Sequence, residues 1–270
     1  MPSNKRLTSA PTGEEIVRGP STVRQRRSSP RCLKPPKVGE ARGLLDPYAG
    51  AGQLTVPAYT DQVASLLRRI FVGAGQVEVE WRAMLGEEVR SPRTRRRVMY
   101  SPEVDLAVGP FAVLQRYVDE YDRLAYVHAE LLEAMRRAFQ MNLRNFGSSF
   151  KPPRLDGLCS INLNARCFIA LEIERGNTDV KYLMGSMINA ASLGRVGVMV
   201  AWECARLGDL LRARESMALW GEVGKNTLNT GNLLFLTRGQ VVRILTRFVT
   251  APPYQTWRQA GPMSIRKPID

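Results

Sequence analysis

The chain has 270 residues, of which 44% are hydrophobic, and its formal net charge is +14. That amount of apolar material suffices for one large domain or two small ones, and no apolar run approaches the roughly 18 residues of a membrane span. The composition therefore excludes a membrane-spanning protein, and the charge indicates an anionic partner, either a nucleic-acid backbone or an anionic membrane surface.

The N-terminal segment and the cysteines predict the compartment. No apolar core follows the basic N-terminus, so we predict no secretory signal. The four cysteines form no CxxC pair and no cluster with histidine: Cys32, Cys159, Cys167 and Cys204. Isolated thiols of this kind are typical of the reducing cytoplasm rather than of disulfide or zinc proteins. We therefore expect a cytoplasmic protein.

Residues 1–43 are rich in Pro, Ser, Arg and Lys. They contain ten Lys or Arg residues and three Glu residues, a net charge of +7 and thus half of the total. Such a segment cannot bury enough apolar surface to offset its chain entropy, so we predict a disordered basic arm over residues 1–45. A nucleic-acid-binding arm and a solubilising tail both remain open.

The first predicted elements are a helix and two strands. Apolar residues at helical spacing predict a helix over Pro57–Phe71, with Thr60 as its N-cap. Alternation predicts a half-buried strand over Val77–Trp81, and Pro102–Gly109 is a second strand with Asp105 near its middle. A basic turn over residues 91–97 separates the two strands.

A long helical segment follows the second strand. Pro110 suits the first turn of a helix, and apolar residues recur at spacings of three and four through about residue 145. His128, the single histidine, lies on this apolar stripe. We interpret it as a packed helix residue. The lack of any other histidine argues against a Ser-His or Cys-His hydrolase and against a His-rich metal site. Residues 145–165 are predicted to form a loop.

The remaining chain alternates strands and helices. Arg166–Arg175 predicts a strand buried on both faces, because it is a short apolar run with β-branched and aromatic residues. The strand is followed by a helix from Asp179 to Leu193 and a buried strand from Val196 to Ala201. A helix, a strand and a last helix are then predicted over 203–223, 232–237 and 240–249, before a Pro-rich tail over 251–270.

Two glutamates mark the end of the buried strand. Side chains two residues apart in a strand share one face, so Glu172 and Glu174 point the same way. Adjacent buried carboxylates repel each other, and a hard divalent cation between them is the simplest compensation. A solvated strand end is the alternative, since Glu-x-Glu is common by chance.

Pro102-Glu-Val-Asp105 and Leu171-Glu-Ile-Glu174, with the helix and strand that follow, resemble the PD-(D/E)xK nuclease superfamily, which includes many type II restriction endonucleases. The resemblance covers residues 58–201. It implies an α/β fold with a restriction-endonuclease-like core over residues 46–250. The core would be a mixed sheet of about five strands flanked by helices, with a long helical insertion over 111–160.

The resemblance also implies a function, Mg²⁺-dependent hydrolysis of DNA phosphodiester bonds, with Mn²⁺ as a substitute. Asp105 and Glu172 would bind the metal together with the carbonyl of Ile173. The usual third residue is a lysine, whereas this chain has Glu174, as some members do. The general base is therefore open between Glu174 and a role for Lys181 early in the next helix. Glu78 and Glu80 are weaker candidates for an extra acidic residue.

Several basic and polar side chains are candidates for contacts with double-stranded DNA: Arg93, Arg95, Arg96, Arg97, Arg175 and Asn177. A restriction or repair endonuclease is the first hypothesis, and a homodimer is left open. The second is a catalytically inactive nucleic-acid-binding or assembly protein on the same scaffold, suggested by the missing lysine. A structural protein at an anionic membrane surface rests on charge alone. Spatial convergence of Asp105, Glu172 and Glu174 would discriminate the first hypothesis.

Overall fold

A computed structural model describes residues 54–72, 76–83, 102–112, 116–148, 150–176, 179–222 and 229–250, without the side chains of 220–222. The predicted basic arm, the basic turn over 91–97, Asn177 and the Pro-rich tail lie outside the described residues. The elements are α1 Val56–Ile70, β1 Val77–Arg82, β2 Glu103–Val108, α2 Val118–Val127, α3 Ala129–Asn145, α4 Leu155–Ser160, β3 Cys167–Glu174, α5 Val180–Leu193, β4 Gly194–Ala201, α6 Cys204–Glu222, β5 Leu233–Thr237 and α7 Arg238–Thr250.

The five strands form one mixed sheet in the order β1-β2-β3-β4-β5. β1 and β3 both pair with β2 in antiparallel fashion, whereas β3, β4 and β5 are parallel. Parallel neighbours need crossover connections, and α5 and α6 provide them. The fold is therefore α/β, with a mixed five-stranded open sheet flanked by helices. The predicted order of helix, three strands, helix and strand is present.

Burial in the sheet explains the apolar character of its central strands. Every residue of β3, β4 and β5 is buried, whereas β1 exposes three of its six residues. Phe71, after α1, and Tyr121 of α2 pack against Phe168 of β3, and Phe139 of α3 packs against Phe235 of β5. The continuous apolar runs thus correspond to strands that helices cover.

The start of α1 differs from the prediction. Thr55, not Thr60, is the N-cap, and its hydroxyl accepts a hydrogen bond from the Ala58 N–H at 3.4 Å. Thr60 lies inside the helix, where its hydroxyl donates to the Val56 carbonyl at 2.9 Å. Pro57 fits this earlier start, because the first turn of a helix leaves backbone N–H groups without helical partners.

The segment between β2 and β3 is helical but is not one helix from Pro110. Pro110 follows a cis peptide bond, and the Ala112 N–H donates to the Arg166 carbonyl at 2.7 Å. Residues 110–112 therefore lie beside the chain that leads into β3. The helices α2 and α3 meet at His128, and the predicted loop over 145–165 contains α4. Periodicity missed the junction because both helices bury the same apolar stripe.

Within the described ranges, none of the helices is both long and apolar enough to cross a bilayer.

Candidate functional site

Asp105 and Glu172 lie opposite each other on adjacent strands. The antiparallel register pairs Leu106 of β2 with Leu171 of β3. The residue before Leu106, Asp105, therefore lies opposite the residue after Leu171, Glu172. The side chains of Asp105 and Glu172 are hydrogen-bonded, and the Ile173 N–H donates to Asp105 Oδ2 at 2.6 Å. Two acids that lie 67 positions apart in the chain thus occupy one location.

The environment of this pair disfavours two negative charges. Burial raises the pKa of Glu172 well above its ordinary value, and the nearby Asp105 and Glu174 carboxylates raise it further. Burial also raises the pKa of Asp105, although the Ile173 N–H opposes this effect. Burial and the neighbouring carboxylates therefore favour the protonated form of Glu172 beside Asp105. A bound cation would also relieve the repulsion between the two carboxylates, because it neutralises like charges that share a site.

Glu174 follows Glu172 on the same strand but has a different partner. Arg206 of α6 donates through Nη2 to Glu174 Oε2 at 3.1 Å, and its Nη1 lies 3.6 Å from Asp209 Oδ2. Both residues of the ion pair are buried, with 7% of Glu174 and 4% of Arg206 exposed. The guanidinium compensates the Glu174 carboxylate, which needs no metal ion for that purpose.

Two other predicted site residues are exposed. Lys181 lies in the first turn of α5, and Arg175 directly follows β3. Burial raises the pKa of Asp105, and the positive charge of Arg175 opposes this rise as the smallest contribution. Ile173 contacts Asp105 through its N–H, and the predicted ligand role of its carbonyl stays a prediction.

Glu78 and Glu80 lie on β1, the edge strand beside β2, and both are exposed. The β1–β2 register places Glu80 opposite Asp105, because Val79 pairs with Leu106 and Trp81 with Val104. Glu80 has a φ of 51°, in the left-handed region that residues other than glycine seldom adopt. Val79, which is 36% exposed, is the residue that departs from the alternation of β1.

Sequence reasoning missed Arg206, the partner of Glu174. Arg206 belongs to no motif and lies 32 residues after Glu174, in the helix that was predicted over 203–223. One signal was available: Arg206 lies in the first turn of the helix that follows β4, next to the end of β3 where the glutamates lie. A basic residue there can reach the carboxyl end of the neighbouring strand.

The donor set suits a hard cation held by few protein ligands. In the described part of the chain, no group of three or more His, Cys, Asp or Glu side chains is arranged to hold a metal ion. Asp105 and Glu172 supply two carboxylates, and Mg²⁺ commonly takes one or two carboxylates and completes its octahedral shell with water and phosphate oxygens. The pair therefore fits Mg²⁺ better than a metal that needs a closed set of protein ligands.

No protein-family model, curated protein or solved structure matches this chain. Its function is therefore inferred from the site itself.

Proposed function

We propose that this protein hydrolyses DNA phosphodiester bonds in a Mg²⁺-dependent reaction, as an endonuclease of restriction or repair type. The observation that carries the proposal is the buried pair of Asp105 and Glu172, joined across adjacent strands beside the Ile173 backbone. The order of elements around the pair and the mixed sheet support a restriction-endonuclease-like core. The net charge of +14 supports a polyanionic substrate.

In this mechanism the chain's residues bind the cation, place the phosphate and orient a water molecule. Asp105, Glu172 and the Ile173 carbonyl would hold Mg²⁺, or Mn²⁺ in its place. The bound ion would supply charge neutralisation at the phosphate and a more acidic water. Arg175 contacts the DNA backbone. Glu174, paired with Arg206, orients the attacking water, and Lys181 is the alternative source of a charged group.

A second candidate is a nucleic-acid-binding or assembly protein without catalytic activity on the same scaffold. The Glu174–Arg206 ion pair favours it, because a carboxylate engaged by a buried guanidinium is a weak proton acceptor. This candidate predicts salt-sensitive DNA binding that is independent of divalent metal ions. Cytoplasmic location and double-stranded DNA as the partner are common to both candidates.

A plasmid-nicking assay tests the proposal. The wild-type protein is expected to nick supercoiled plasmid with Mg²⁺ or Mn²⁺ and not with EDTA. Asp105→Ala and Glu172→Ala are each expected to lower the rate by at least about a hundredfold, the usual cost of losing a group that stabilises transition-state charge. DNA binding in EDTA and the thermal unfolding midpoint should change little.

Glu103→Gln is the matched control. Glu103 lies two residues before Asp105 on β2, is partly exposed and forms an ion pair with Arg82. This variant should retain wild-type nicking, since surface ion pairs contribute little to stability. Metal-dependent nicking that survives in both alanine variants would exclude the proposed site. Wild-type protein that binds DNA but never nicks it supports the second candidate.

A further inference from the structure

Three residues that follow the parallel strands form a row across one edge of the sheet. Glu174, Ala201 and Thr237 are paired in register at the ends of β3, β4 and β5. The next residues are Arg175, Trp202 and Arg238. Neighbouring strands lie about 4.8 Å apart, so two arginines flank a tryptophan within reach of one extended ligand. The row begins one residue beyond Glu174.

The centre of this row is built from specific contacts. The backbone N–H of Trp202 donates to the backbone carbonyl of Glu174 at 2.9 Å, which extends the β3–β4 pairing by one residue. The Arg238 guanidinium carbon lies 4.5 Å from the centre of a Trp202 ring, within the range of a cation–π contact. Trp202 and Arg238 are both half-buried. The stacked guanidinium is thus held in place and retains accessible surface.

Tyr59 of α1 supports the stack from a third side. Its ring meets the Trp202 ring edge-on, with the ring centres 5.5 Å apart. Its hydroxyl donates to the Arg238 carbonyl at 3.1 Å. The two contacts fix the indole and the backbone of Arg238 relative to each other. A side chain held in this way loses little conformational entropy when it binds a ligand.

We propose that Arg175, Trp202 and Arg238 form a phosphate-binding row that holds the backbone of a nucleic acid at the sheet edge where β3 ends after Glu172 and Glu174. The inference rests on the proposed function, and it adds Trp202 and Arg238 to the substrate contacts. A guanidinium binds phosphate oxygens through two parallel N–H groups, and stacking on an aromatic ring keeps that planar group oriented. Two such groups at the ends of the row would bind phosphates on one strand.

The test measures the affinity for a short double-stranded DNA by fluorescence anisotropy, in EDTA and at several salt concentrations. Arg238→Gln and Arg175→Gln are each expected to weaken binding about tenfold and to reduce the slope of log affinity against log salt by about one. Arg243→Gln is the matched control, because Arg243 is an exposed arginine of the same helix as Arg238, α7. It should change the affinity less than about twofold, as a charge away from the row.

Two further variants separate the row from general charge. Arg238→Lys keeps the charge but loses the planar stacked group, so its affinity should lie between those of wild type and Arg238→Gln. Trp202→Phe should lose the change in tryptophan emission that DNA binding causes in the wild type. Equal losses in Arg238→Gln and Arg243→Gln would show that only net charge matters and would overturn the inference. So would an unchanged emission response in Trp202→Phe.

Folding and catalysis are controlled separately. If Arg238→Gln unfolds, Arg175→Gln decides the question, because Arg175 is exposed and follows the strand. Binding through the row without any nicking would remove the proposed hydrolysis and keep the row. Nicking that is insensitive to both arginine variants would remove the row and keep the hydrolysis.

Discussion

His128 shows how burial changes the chemistry of one side chain. The residue is 2% exposed at the junction of α2 and α3, and its ring centre lies 4.2 Å from that of Phe71. Burial lowers its pKa to about 4, so the folded protein keeps the imidazole neutral at neutral pH. The prediction that His128 is a packed residue rather than a catalytic one agrees with this environment.

The pH dependence of stability follows from that pKa. The ordinary value is 6.5 and the folded value is about 4, so between these pH values the unfolded chain binds a proton that the folded chain does not. Protonation therefore favours unfolding as the pH falls. The contribution of His128 to the free energy of unfolding is fully present above pH 6.5 and is lost as the pH falls toward 4. The loss is at most about 3 kcal/mol, since one pKa unit corresponds to about 1.4 kcal/mol.

His128→Gln isolates this effect from the titration of carboxylates, which both proteins share. Between pH 7 and pH 4.5 the wild type is expected to lose more free energy of unfolding than the variant. Urea unfolding at several pH values measures the difference. Parallel stability curves would show that the imidazole does not change its protonation on unfolding.

At the level of helices and strands, two glycines predict opposite effects of the same substitution. A Cβ atom at Gly197 of β4 would lie 2.9 Å from the Ala190 carbonyl oxygen and closer still to the Leu233 side chain. Gly185, in the interior of α5, is exposed, and a Cβ atom there would meet nothing within 4 Å. The first glycine is required by packing, whereas the second only increases the entropy of the unfolded chain.

Gly197→Ala is therefore expected to destabilise the protein by about 1 to 3 kcal/mol, the usual range for overpacking a core. Gly185→Ala is expected to stabilise it by about 0.5 to 1 kcal/mol, because alanine is the better helix former. Chemical denaturation of both variants measures the two signs. A neutral Gly197→Ala would mean that β4 and α5 separate more easily than their contacts indicate.

The predicted elements differ from the structure mainly where a local pattern has more than one solution. The strands around Asp105 and Glu172 were predicted because apolar runs of their length suit buried strands. The prediction of a single helix from Pro110 was wrong, because the Ala112 N–H donates a hydrogen bond to the Arg166 carbonyl. This contact joins distant parts of the chain. Thr60 was predicted as the N-cap of α1, whereas the cap is Thr55, directly before the helix begins at Val56.

For the molecule as a whole, charge is the property that governs association. Half of the net charge of +14 lies in residues 1–43, outside the described residues. A chain without this arm is expected to bind DNA about tenfold more weakly at physiological salt and with a smaller salt slope, because fewer counterions are released. Anisotropy titrations of both chains measure this. An unchanged salt slope would identify the arm as a solubilising tail.

The family resemblance implied the α/β class. Local pattern alone was sufficient to predict the helical segment after β2 and the strands that carry Asp105 and Glu172, because hydrophobic periodicity reports the face that each element buries. It could not show that Arg206 compensates Glu174 or that Arg175, Trp202 and Arg238 form a row. Those relations depend on strand register and on helix placement, which join residues that lie tens of positions apart. Sequence spacing carries no record of that adjacency, and only packing in three dimensions creates it.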